Sequence, residues 1–206
     1  MPAAPLPFAV VILGAGASSR MGRPKLQLPW RGTTVVGHII GQWRELGALQ
    51  IAIVQRDKDH SLTVELDRLN VPKSDRIKNP DPERGMFSSI LCAANWNGWK
   101  AEIASFAIAL GDQPHLRIKT LRGLLACHST HSNALCQPEF QGRPRHPVLL
   151  PRDIFNELKL TRAETLKDFL KLIPSPTVQY PVDDAALALD LDTPEDYIRA
   201  MTQFGA

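Results

Sequence analysis

The chain has 206 residues, 44% of them hydrophobic, and 24 Lys and Arg set against 21 Asp and Glu give a formal net charge of +3. That length suits one α/β domain, which buries about 70% of its unfolded surface and needs no disulfide or structural metal to hold a core. So small a basic excess gives little support to a nucleic-acid role, no apolar run reaches the roughly 18 residues that span a membrane, and three cysteines without C-x-x-C spacing suit the cytoplasm.

The start, M-P-A-A-P-L-P, lacks the basic opening of a secretory signal and reads as a flexible leader over residues 1–7, with a single domain over residues 8–206. The apolar run 8–13 is the first expected strand. Thr33 or Thr34 can cap a helix to about residue 46, and Gly47 ends it. Residues 50–55 form a second strand, and residues 60–69 place Leu62, Leu66 and Leu69 on one helical face. Gly85 opens a helix through about residue 95, residues 104–110 are a third buried strand, and residues 116–126 are helical. Residues 134–136 begin another strand, and residues 138–150 read as a hairpin with Gly142 near its turn. Two helical stretches, about 153–160 and 164–172, lead past Pro174 and Pro176 to a short strand at 178–180. Thr193 caps the last helix, with Pro194 first and Glu195 and Asp196 in its first turn. Apolar strands separated by helices imply a mostly parallel sheet covered on both faces. Trp43, Trp96 and Trp99 are expected to pack against that sheet.

The segment after the first strand carries the chemistry. Leu13, Gly14, Ala15 and Gly16 lead into Ser18, Arg20, Arg23 and Lys25 with no acid among them. Glycines let the backbone approach a ligand closely, and successive N–H groups in such a turn make an anion site. Arg20 adds a planar fork for phosphate oxygens and Lys25 a compact positive charge. The dinucleotide fingerprint fails because position 19 is Ser19, and the P-loop pattern fails because neither Gly16 nor Gly22 has its required partners. What remains, L-G-A-G-A-S-S-R-M-G-R-P-K, resembles the signature of the MobA-like nucleotidyltransferases, with Leu13, Gly16, Ser18, Arg20, Met21, Gly22 and Lys25 matching and Gly14 standing where alanine is usual.

Further motifs carry the resemblance in the same order. Gly111-Asp112-Gln113-Pro114 follows an apolar strand and is similar to the metal-binding G-D-x-P of that family. The stretch from Asp190 to Asp196, D-L-D-T-P-E-D, resembles its second acidic motif, which implies Asp192 as the metal ligand and Asp190 as second choice. Mg²⁺ takes one or two carboxylates and completes its shell with phosphates and water, so two aspartates suffice. Gly85, Ser88 and Ser89 resemble the loop-to-helix turn that holds the nucleotide. Arg145 and His146 fall in a stretch similar to the acceptor hairpin, with Arg145 replacing a glycine, and a G-D-x-G stretch common later in the family is missing from residues 160–166. Cys127, His128, His131 and Cys136 lack zinc-finger spacing and read as an ordinary helix end.

The resemblance implies a three-layer α/β sandwich with a Rossmann-like sheet, of the nucleotide-diphospho-sugar transferase type. It implies Mg²⁺-dependent transfer from a nucleoside triphosphate to a phosphorylated small molecule, with Arg20, Lys25 and Asp112 as the catalytic groups. Within the family it points to the molybdenum-cofactor branch, a molybdopterin-type acceptor and a molybdoenzyme as partner. Ala15 leans to CTP over GTP. A sugar phosphate or alcohol phosphate as acceptor, and a non-catalytic nucleotide-binding protein, are the alternatives.

Overall fold

The computed structural model describes residues 6–205, so the leader expected at residues 1–7 lies for the most part outside the described residues. Strand β1 (Phe8–Leu13) is followed by a short antiparallel pair, β2 (Pro29–Trp30) and β3 (Thr33–Thr34), and by helix α1 (Val35–Glu45). Then come β4 (Gln50–Arg56), α2 (His60–Arg68), β5 (Arg76–Asn79), α3 (Met86–Asn95), β6 (Ser105–Leu110) and α4 (Ile118–Thr130). The chain continues through β7 (Leu135–Phe140), β8 (Arg143–Pro144), β9 (Val148–Pro151), α5 (Arg152–Glu157), α6 (Leu166–Leu172), β10 (Thr177–Pro181) and α7 (Pro194–Phe204).

The main sheet runs β10-β7-β9-β6-β1-β4-β5, with β8 paired to β7. The fold is α/β with a mostly parallel mixed sheet, as expected. β1 pairs parallel with both β4 and β6, whereas β9 is antiparallel to its neighbours β6 and β7. Period-two alternation along β1 serves two cores. Phe8, Val10 and Ile12 pack with Val36, Ile40 and Trp43 of α1, and Ala9 and Val11 pack with Ile90 and Ala94 of α3. Trp99 meets Phe106 edge-on at 4.9 Å and carries Trp96 on its outer side at 4.7 Å. Thr34 caps α1 by accepting from the Gly37 amide.

Several local expectations change, including the end of α5 at Glu157 and the unanticipated β2–β3 pair, and three matter most for the fold. β5, R-I-K-N, was not foreseen; an edge strand with one apolar residue carries no periodic signal, yet its Ile77 and Asn79 are buried. α4 begins at Ile118 and runs to Thr130, past the expected end at 126, because no glycine or proline stops it and Thr130 closes its last turn on the Cys127 carbonyl. The hairpin expected at 138–150 is split. β7 and β8 form a two-pair ladder around Gln141 and Gly142, both at positive φ, and the chain then crosses to place β9 between β6 and β7.

The strand order positions the site. β4 and β5 lie on one side of β1 and β6 on the other, with Leu13 opposite both Val54 and Leu110. The carboxyl ends of β1 and β6 therefore flank the point where the winding reverses, which is where open α/β sheets bind ligands.

Candidate active site

Both loops leaving that edge are stitched to the sheet for one residue beyond their strands. The Gly14 amide donates to the Val54 carbonyl at 2.8 Å, and the Gly111 amide donates to the Leu13 carbonyl at 3.1 Å. A methyl group on Gly111 would stand 2.7 Å from that same Leu13 oxygen, so only glycine lets the two strand ends approach this closely. Past Gly16 the chain makes a single tight turn, Ser19–Met21, entered through Ser18 in the left-handed region, and Met21 is buried as its anchor. Ser18 Oγ then accepts from the Lys25 amide at 3.3 Å, while Leu26 and Leu28 are driven into the core. Arg20 and Lys25 are thus projected from a loop pinned at both ends.

The charges meet across the crevice. Lys25 Nζ donates to Asp112 Oδ2 at 2.5 Å and lies 3.4 Å from Asp192 Oδ1. Arg20 donates from Nη2 to Asp192 Oδ2 at 2.8 Å. Four residues from three distant stretches of sequence form one ionic centre on the wall of a cleft of about 460 Å³. Leu13, Gly14, Ala15, Gly16, Gly85, Ser89 and Asp190 line the same cleft.

Residues 10–179 match the sequence profile of the MobA-like NTP transferase domain. The chain belongs to that family. It is 24% identical to the molybdenum cofactor cytidylyltransferase of Escherichia coli K12 over 197 residues, which cover 94% of this chain and 95% of that one. Its fold resembles a nucleotidyl transferase from Methanothermobacter thermautotroptrophicus, with a TM-score of 0.77 and 18% identity over 96% of this chain and 97% of the other. It also resembles Rv0371c of Mycobacterium tuberculosis H37Rv, solved in complex with manganese, with a TM-score of 0.69 and 22% identity over 96% and 99% of the two chains.

In this MobA-like nucleotidyltransferase the acidic segment is held against the β6 loop by contacts the sequence did not advertise. The Leu191 amide donates to the Asp112 carbonyl at 3.3 Å, and Gln113 Nε2 donates to Asp190 Oδ1 at 2.8 Å. Buried His115 directs Nε2 at the carbonyls of Ala186 and Leu189, 3.1 and 2.8 Å away, so that nitrogen carries the proton. Burial pushes the His115 imidazole below its ordinary pKa, against those hydrogen bonds and the Asp190 and Asp112 charges. Buried Asp184 accepts from Thr120 Oγ1 and the Ala186 amide. A capping box at Thr193 and Asp196 fixes the start of α7 directly after Asp192. Burial, and then the Asp112 charge, raise the Asp190 carboxyl, while Gln113 partly opposes the rise.

Other expected residues sit elsewhere. Ser88 does not line the cleft; its hydroxyl donates to the Gly85 carbonyl and accepts from Asn79, which also reaches Ser89. Asn79 and Arg56 went unnoticed in the sequence. Arg56 donates to the Ala15 carbonyl at 2.9 Å and pairs with Glu83, tying the glycine loop to the turn before α3. Arg145 and His146 also lie outside the cleft lining, at the entry to β9. His146 Nδ1 faces the Ile108 carbonyl at 3.3 Å, and burial lowers its pKa against that bond and the Asp190 and Asp112 charges.

The donor set fits a hard divalent cation. Asp112 and Asp192 offer carboxylate oxygens close enough to be shared by one ammonium nitrogen. Among the described residues no group of three or more His, Cys, Asp or Glu is placed to enclose a metal. Two carboxylates, with the remaining positions left to ligand oxygens and water, are a donor set that Mg²⁺ or Mn²⁺ accepts.

Proposed function

We propose that this cytoplasmic enzyme transfers a cytidylyl group from CTP, with GTP the next choice, to a phosphorylated acceptor of the molybdopterin type and releases pyrophosphate. The observation that carries this reading is the meeting of Arg20, Lys25, Asp112 and Asp192 at the β1–β6 crevice. Ala15, and similarity to a cytidylyltransferase over nearly the whole chain, support CTP and the molybdenum-cofactor acceptor. A molybdoenzyme would then receive the product.

Asp112 and Asp192 would hold Mg²⁺, which when bound neutralises charge across the triphosphate oxygens. The glycine loop admits the triphosphate close to its backbone. Arg20 and Lys25 offset charge on the α-phosphate and on the departing pyrophosphate, acting by position and electrostatics. An acceptor phosphate oxygen bonds to the α-phosphorus. The bond from that phosphorus to the oxygen bridging the β-phosphate breaks, and pyrophosphate leaves with the electron pair. The nucleophile is already ionised, so no general base is needed.

Pyrophosphate release with each of CTP, GTP, ATP and UTP, offered with molybdopterin or with a sugar phosphate, tests both base and acceptor. Near-normal turnover of Asp112→Ala at saturating Mg²⁺ would overturn the assignment.

A further inference from the structure

The cation assigned to the triphosphate and the anions assigned to the metal are bound to each other. Lys25 Nζ stands 2.5 Å from Asp112 Oδ2 and 3.4 Å from Asp192 Oδ1, between the two carboxylates. We propose that Lys25 is a stand-in cation that holds the two aspartates together until a divalent ion replaces it, so that metal and triphosphate bind as a coupled pair. This rests on the reading that Asp112 and Asp192 hold the metal.

The electrostatics run in both directions. A divalent ion arriving alone meets the Lys25 ammonium already seated on its ligands. A triphosphate arriving alone finds Lys25 and Arg20 engaged by carboxylates, whose charges repel it. Arriving together, the metal takes the aspartates and the phosphates take the released cations, so opposite charges are matched throughout. Lys25 and Asp112 side chains are only 13% and 18% exposed, so solvent screens this pair weakly. Arg20 is 70% exposed on the outer side of Asp192 and follows the exchange at little cost.

The exchange needs no loop movement. The Lys25 amide is fixed on Ser18 Oγ, the Leu28 amide closes back on the Lys25 carbonyl, and Leu26 is buried beside it. Only the four-carbon lysine stem must swing, which suits a compact ammonium with three rotatable donors. Coupling between two ligands is reciprocal, and typical values correspond to about 5–150-fold in affinity.

The test measures Mn²⁺ binding from the electron paramagnetic resonance signal of the free ion, with and without CTP and each read against the same Mn²⁺ and CTP without protein, in the wild type, Lys25→Met and Asp112→Asn. Circular dichroism verifies folding, with Lys25→Gln as a second removal of the charge. The wild type should take up Mn²⁺ weakly alone and about tenfold or more tightly with CTP. Lys25→Met should bind Mn²⁺ alone about tenfold more tightly than the wild type and lose the CTP enhancement. A Lys25→Met protein that binds Mn²⁺ alone no more tightly than the wild type would overturn the stand-in role. If Asp112→Asn binds Mn²⁺ with CTP as well as the wild type does, the metal assignment itself falls. Loss of Mn²⁺ in Asp112→Asn with no gain in Lys25→Met rejects the stand-in role and leaves the function standing.

Discussion

Gly111→Ala should damage both the fold and the site, by an amount set by one contact. The added Cβ would stand 2.7 Å from the Leu13 carbonyl oxygen and 3.1 Å from Leu26 Cδ2. Leu26 can yield, but Leu13 O is backbone at the end of β1 and already accepts from the Gly111 amide. Relief therefore requires β1 and β6 to separate where they flank the crevice. Overpacking of this kind costs about 1–3 kcal/mol. For a domain of this size that corresponds to a fall in Tm of about 2–12 °C in differential scanning calorimetry. Asp112 is the next residue and would be displaced from Lys25, and misplacement of about 1 Å costs roughly a hundredfold in rate. Two neighbouring glycines provide the controls. Gly14→Ala meets Val54 O and Leu26 Cδ1 at 3.1 Å and should cost less, whereas Gly16→Ala meets nothing within 4 Å and should leave Tm unchanged. A Gly111→Ala protein with the Tm and turnover of the wild type would refute the close approach of the two strand ends.

Thr193→Ala removes the side chain that accepts from the Asp196 amide, so a loss of about 0.5–2 kcal/mol is expected. Thermal denaturation should then show Tm lower by about 1–8 °C, and an unchanged Tm would contradict the capping box. Stability should also fall on mild acidification. His38, His115, His128 and His146 are all held below the ordinary 6.5, chiefly by burial. Their neutral forms fit the folded state at no penalty above pH 6.5; below it the unfolded chain gains protons first and stability is lost until the folded-state values are passed. Asp190 works the other way, since its raised carboxyl restores stability as pH falls toward its ordinary 3.8. Glu65, lowered by Arg68, stabilises above its ordinary 4.5 and loses that contribution below it. Between pH 7.5 and 5.5 the imidazoles dominate, so a Tm that stayed flat or rose across that interval would refute their burial.

Much of this protein could be read in one dimension because its strongest signals are local. The apolar run of β1 breaks at Gly14 as its pattern predicts, Thr193 caps α7 as expected, and of the two candidates Thr33 and Thr34 it is Thr34 that caps α1. Those features depend on hydrophobic periodicity and on hydrogen bonds spanning three or four residues, which a sequence displays directly. The motif residues Arg20, Lys25, Asp112 and Asp192 were likewise visible one by one. What joins them was not. Lys25 and Asp112 are 87 positions apart, and Arg20 and Asp192 are 172 apart. The strand order sets β6 beside β1 and brings Asp112 to Lys25, and the Leu191 amide on the Asp112 carbonyl carries Asp192 to within 4 Å of both Lys25 and Arg20. Tertiary packing also decided the supporting roles, turning His115 and Gln113 into clamps on the acidic segment and Ser88 toward Asn79 and Gly85 and away from the cleft. A polar side chain takes whichever partner the fold brings within hydrogen-bond reach, and that partner is seldom a neighbour in sequence.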